Sequence, residues 1–154
     1  MANSDSAHET SLCASSVVAF KQLRGLVGVW RGVTPAGAPI GVTYRLSAGD
    51  SVLVETWNLG PGRESMTVYH LDGAALLASH FCPQGNQPRL KMIQSTGSRF
   101  DFAFHDATGI LPGQAVQRAF WIEIGTDRAI TRSETYVQDD ESETETIRYE
   151  RVGG

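Results

Sequence analysis

Met66-Thr67-Val68-Tyr69-His70-Leu71-Asp72-Gly73-Ala74-Ala75-Leu76-Leu77-Ala78-Ser79-His80-Phe81-Cys82 decides the fold. Asp72-Gly73 is a two-residue hairpin signal, because a tight turn that matches strand twist needs residues tolerant of φ > 0. The flanks alternate. Met66, Val68 and His70 share one face opposite Thr67 and Tyr69, and Leu76, Ala78, His80 and Cys82 share one opposite Leu77, Ser79 and Phe81.

The same rhythm extends in both directions. Alternating or β-branched runs recur over Val27–Thr34, Pro39–Ser47, Ser51–Leu59, Glu64–Leu71, Ala75–Cys82, Arg89–Ser95, Arg99–Asp106, Ala115–Gly125, Ala129–Gln138 and Glu143–Val152. Turn chemistry separates them, as at Pro35-Ala36-Gly37, Gly60-Pro61-Gly62, Pro83-Gln84-Gly85-Asn86 and Leu111-Pro112-Gly113. One short helix precedes them: Val17, Phe20 and Leu23 repeat at helical spacing, Ser15 or Ser16 can cap it, and Gly25 and Gly28 end it. Residues 1–15 are polar and read as a disordered tail, which leaves 16–154 as a single domain.

About ten strands joined by short turns pair antiparallel with their sequence neighbours. Closing such a meander removes its two open edges, so the expected architecture is an all-β, up-and-down antiparallel barrel. A β-sandwich would need longer crossovers. A barrel of this size leaves room for a ligand; the competing expectation is an interior filled by side chains.

Composition narrows the function. With 41% hydrophobic and 19% charged residues over 154 positions, there is material for a sizeable core. A net charge of −4 without a basic run argues against nucleic-acid binding. No apolar run approaches the roughly 20 residues of a membrane helix, and the polar start lacks the pattern of a secretory signal. Cys13 and Cys82 are expected as free thiols, which with those observations points to the cytoplasm, and the two cysteines and four histidines show no zinc-ligand spacing.

Parity then sorts the candidate site. Phe100, Phe102 and Phe104 share a face that must be inside, and Met66, Met92 and Phe120 are expected to join them as a ligand-facing apolar set. One choice of parity puts Glu55, His70 and His80 on the same side of three consecutive strands, about 4.8 Å apart, where enclosed titratable groups make a candidate catalytic cluster. The alternative is that Glu55 and His70 form a hydrogen-bonded structural pair. In the segment from His80 to Arg89, Asn86, Gln87 and Arg89 offer donors beside a strand end stiffened by two prolines; Arg89 could pair with a ligand carboxylate or an enolate oxygen. The alternative is a rigid loop whose amides bond local backbone. The charges of the last strands, Arg132 and Glu134 among them, read as a solvated surface.

Gly28-Val29-Trp30-Arg31-Gly32, opening the first strand after a short helix, resembles the Gly-x-Trp signature of the calycin superfamily of lipocalins, fatty-acid-binding proteins and nitrobindin-like barrels. The resemblance implies that Trp30 closes one barrel end and that Arg148 or Arg151 packs on it. Val42-Thr43-Tyr44-Arg45-Leu46, Ser51–Thr56, Met66–Gly73 and His80 through Arg89 further resemble a bacterial family of lipocalin-like barrels with no settled activity. That family usually has Tyr at the position of Phe81 and Met at that of Leu90. It implies a ten-stranded calycin barrel and draws attention to Glu55, His70, His80, Asn86, Gln87 and Arg89; Tyr44, in the first of the matching stretches, is also expected in the ligand-facing set. Nitrobindin-like relatives hold haem through a His with no matching position here, so no cofactor is expected and haem is a minor alternative.

Two functions compete. The first is binding of a small apolar or amphipathic molecule in the barrel. The second is a cofactor-independent enzyme (isomerase, cyclase, lyase or hydratase), with His70 or Glu55 moving a proton, His80 assisting, and Arg89 with Asn86 stabilising negative charge. The sequence leaves both open. An outer face carrying Tyr69, Leu77 or Trp121 is a candidate homodimer contact compatible with either.

Overall fold

The computed structural model describes residues 15–153. The expected tail at 1–15 lies outside the described residues except for its last position, which opens the helix, and Cys13 lies outside them too. Helix α1 spans 15–23 and tightens into a 3-10 turn at Arg24–Leu26. Ten strands follow: β1 Gly28–Val33, β2 Pro39–Ser47, β3 Val52–Asn58, β4 Glu64–Asp72, β5 Ala75–Phe81, β6 Gln87–Ser95, β7 Arg99–Thr108, β8 Val116–Ile124, β9 Ile130–Gln138 and β10 Glu141–Arg151. Each pairs antiparallel with the next, and β10 returns to β1 with Arg151 opposite Trp30, so the sheet closes into a barrel. Closure pairs the two strands that would otherwise be open edges.

The barrel's two ends differ because α1 covers only one. Ala19, Phe20, Leu23 and Leu26 fall at helical spacing and are buried, while Val17 points outward, contrary to the sequence expectation. Ser16 Oγ donates to the Ala74 carbonyl in the β4–β5 turn (2.8 Å), which ties the helix to the rim. Trp30 plugs the same end and donates its indole N–H to Leu26 O (2.7 Å). Arg151 lies over the Trp30 ring at 4.4 Å and donates to the Val27 and Gly25 carbonyls. Gly32 allows β10 to approach β1: a Cβ there would sit 2.6 Å from the Arg148 carbonyl oxygen.

Above this plug the barrel is solid on one side. Phe100, Phe102, Phe120 and Ile122 are buried, and Phe102 stacks on Phe120 at 4.5 Å. Phe104 is half-buried beneath the exposed Arg118 (4.2 Å), and Met92 is half-buried against the core. This aromatic set is packing, and the cavity expected among these rings lies elsewhere. Register slips leave Ile93, His105 and Arg118 out of the cross-strand pairing. The slip at Arg118 matters most, because an extra residue reverses the facing of the strand on one side of it. It brings Gln117 opposite Tyr136, on the inner face.

Candidate functional site

Register decides which titratable groups meet. Tyr44 lies opposite Glu55, Glu55 opposite Thr67, and Thr67 opposite His80, so one row crosses β2, β3, β4 and β5 on the inner face. His70 is opposite Val52 and Leu77, on the outer face, and its Nδ1 lies 3.3 Å from Leu71 O. The parity that joined His70 to Glu55 and His80 is therefore corrected: Glu55 and His80 share the interior, and the residue between them is Thr67. Met66 sits opposite Thr56 and Phe81 and likewise faces out. Tyr69, a candidate for the outer face, is fully buried inside. Of its two companions, Leu77 is 6% exposed, and half-buried Trp121 carries Arg99 over its ring at 4.1 Å.

Arg89 is also outside. It forms an exposed ion pair with Asp106 across β6 and β7, bonding through both Nε and Nη2. Asn86 is buried in the β5–β6 loop and donates to Gln114 Oε1 (3.1 Å) and Ala115 O (3.2 Å); Gln87 donates to Gly85 O (2.9 Å). Gln84 exchanges hydrogen bonds with the Ala115 backbone, Nε2 to O at 3.1 Å and N to Oε1 at 3.2 Å. These amides latch two loops together at the barrel's uncovered end.

The interior is organised by a residue that the charge pattern had assigned to the surface. Arg132, on β9, is 2% exposed. Its Nη1 donates to Glu55 Oε2 (2.6 Å) and Tyr69 OH (2.9 Å), and its Nε donates to Glu134 Oε1 (2.8 Å). The guanidinium carbon lies 4.4 Å from the Phe120 ring and 5.2 Å from Trp57. Glu55 accepts two more hydrogen bonds, from Trp57 Nε1 and Tyr69 OH, both at 2.6 Å. Burial opposes the Arg132 charge, but Glu55, Tyr69 and Glu134 outweigh it and hold its pKa well above the usual arginine value. Burial also pushes up the Tyr44 and Tyr69 phenols, with Glu55 adding to both shifts.

One nitrogen of that guanidinium is left over. Arg132 Nη2 is buried and has no hydrogen-bond partner among the described residues, as are the Tyr44 hydroxyl and both amide atoms of Gln117. A buried donor without an acceptor costs about 1–3 kcal/mol, so a built interior with several such atoms is suited to an occupant that completes them.

There is space beside the Arg132 side chain. A cavity of about 240 Å³ opens at the end opposite α1. Arg132, Trp57, Tyr149, Ile40 and Ile147 line it; Glu134, Tyr136, His80, Ser65 and Glu145 add polar groups; Leu59, Arg63, Cys82, Pro83 and Gln84 complete the lining. Tyr149 meets Trp57 edge-on at 5.5 Å. His80 contacts Thr67 Oγ1 through Nδ1 (3.0 Å) and Tyr136 OH through Nε2 (3.4 Å), and burial lowers its pKa to about 4. Enclosure raises the Glu134 carboxyl above its ordinary range; Arg132 opposes the shift and Glu55 supports it. Among the described residues, no cluster of three His, Cys, Asp or Glu side chains is placed to hold a metal, and Cys82 carries a free thiol.

Sequence reasoning missed Arg132, Glu134, Tyr136 and Gln117. Parity held a signal for the first three. In β9, Ile130, Arg132, Glu134 and Tyr136 alternate with Thr131, Ser133, Thr135 and Val137, so the bulky groups follow Ile130 inward. Gln117 gave no such signal, because its facing depends on the bulge.

No protein-family model matches the chain, and no match is found among curated proteins.

Proposed function

We propose that the protein binds a small amphipathic molecule in the cavity at the uncovered end of the barrel. The observation that carries this reading is Arg132 Nη2: a buried donor, unpartnered among the described residues, on a side chain that lines an open cavity. A ligand acceptor placed there removes an unpaired group that the protein alone leaves in the interior. Trp57, Tyr149, Ile40 and Ile147 supply an apolar wall, and the few polar groups fix orientation, the usual division of labour in a binding pocket. The volume is below the roughly 300–1,000 Å³ of pockets for drug-sized ligands, so the guest is small. Haem is left out of the reading for that reason, and because both His80 nitrogens already face side-chain oxygens.

Arg151 over Trp30 supports calycin kinship, since it fills the role that the Gly-x-Trp resemblance assigns to an arginine near the end of the chain. The test of the binding reading is native mass spectrometry of freshly purified protein beside its Arg132→Met variant. Retained small-molecule mass in the wild type, lost in the variant, is the expected result. Bare protein in both, with no small molecule displacing solvent from the cavity by ligand-observed NMR, would overturn the proposal.

A second reading, proton transfer without a cofactor, is favoured by one observation. Glu134, whose proton is held more tightly than usual, and His80, kept neutral by burial, line the same cavity.

A further inference from the structure

We infer that the cavity selects an uncharged ring carrying an N–H beside a C=O, the edge of a lactam or cyclic imide. This rests on the binding reading and narrows its ligand class. Arg132 Nε is already given to Glu134 Oε1, while Arg132 Nη2 has no acceptor among the described residues. Nε and Nη2 are neighbouring nitrogens of one planar fork. Glu134 therefore stands next to the free donor, and its second oxygen takes no hydrogen bond from a described residue. Its side chain is 27% exposed and lines the cavity. Arg132 and Glu134 both line the cavity, so an unpartnered donor and an unpartnered acceptor belong to neighbouring side chains of its wall, the complement of a C=O with an adjacent N–H.

Charge excludes the two obvious rivals. The lining sets Arg63 and Arg132 against Glu134 and Glu145, and Arg132 is already paired with Glu55 at 2.6 Å and Glu134 at 2.8 Å, so an anionic guest placed against Arg132 would add to a local excess of carboxylates. A cationic guest could satisfy Glu134 but would leave Arg132 Nη2 unpaired and add a like charge beside it. A neutral ring that both donates and accepts meets neither objection. The ring itself fits the apolar lining of Trp57, Tyr149, Ile40 and Ile147.

Isothermal titration calorimetry with 2-pyridone, N-methyl-2-pyridone, benzoate and toluene tests this on the full chain, wild type and Glu134→Gln. In the wild type, 2-pyridone should bind at least about tenfold more tightly than its N-methyl derivative, which lacks the donor, and than benzoate, which lacks it and adds charge. In Glu134→Gln the amide oxygen accepts from Arg132 Nε and turns an N–H₂ toward the guest. The order should then invert, benzoate gaining and 2-pyridone losing affinity, an outcome that a purely structural role for Glu134 does not produce. Equal affinity for 2-pyridone and N-methyl-2-pyridone, or tighter benzoate binding in the wild type, overturns the lactam assignment and leaves the binding reading standing. No heat and no ligand-observed NMR signal from any of the four compounds overturns both.

Discussion

Glu55 and Arg132 meet at 2.6 Å across the barrel interior, 77 residues apart in sequence, with both side chains at most 1% exposed. One comes from β3 and the other from β9, so the pair forms only once the sheet has closed. Removing one partner leaves a buried charge uncompensated, which typically costs about 3–5 kcal/mol. Glu55→Gln and Arg132→Met should each lower the unfolding free energy obtained from urea titration by that order. The double variant should lose less than the sum of the two, because the second substitution removes the group that the first orphaned. Additive losses would show that the two residues do not act as a pair.

His80 makes stability depend on pH in a defined window. Its folded pKa is about 4 against about 6.5 in the unfolded chain, so the unfolded state binds the proton more readily between those values. The His80 contribution is complete above pH 6.5 and is lost as pH falls toward 4, a difference of about 3 kcal/mol. Glu134 works in the opposite direction. Its raised pKa means that ionisation above the ordinary glutamate range costs folding free energy. Chemical denaturation at pH 7 and pH 4 should therefore show a smaller pH difference in His80→Asn than in the wild type. An unchanged difference would mean that His80 is not held neutral.

The fold was legible because its signals are local. Asp72-Gly73 and the other turns mark where strands stop, and alternation marks where they run, so the predicted runs agree with the observed strands to within about two residues at most ends. Gly28-x-Trp30 marked the plugged end, and Arg151 is the arginine that covers it. The site was less legible because it depends on facing. A one-residue choice of parity separates His70, outside, from Tyr69, inside, and both faces of β4 carry residues plausible in either place. The charges of β9 misled for a physical reason: Arg132 and Glu134 are rare interior residues that become tolerable only through Glu55, contributed by a distant strand.

Gly32 predicts a steric limit on closure. Its Cβ position lies 2.6 Å from Arg148 O and 2.9 Å from Tyr149 Cδ1, where backbone and a buried ring cannot both retreat. Gly32→Ala should destabilise the barrel by about 1–3 kcal/mol, the usual range for overpacking. Gly25→Ala, at a site with nothing within 4 Å, is the control and should change the thermal midpoint little. Equal effects of the two substitutions would argue against close packing at the β1–β10 seam.

Substitution should also separate the inner from the outer polar groups. His70 and Arg89 face away from the cavity, and Arg89 is occupied by Asp106 on the barrel's outer surface. His70→Ala and Arg89→Ala should leave binding of a cavity ligand unchanged within about twofold, since neither touches the lining and surface ion pairs are weakly coupled to distant sites. Tyr136→Phe should weaken the same ligand, because Tyr136 and His80 both line the cavity and removing the hydroxyl leaves His80 Nε2 without its 3.4 Å partner. Parallel titrations of the three variants with one probe make the comparison direct. A loss on His70→Ala that matches the loss on Tyr136→Phe would mean that the register of β4 against β3 and β5 differs from the one described, since that register puts His70 outside.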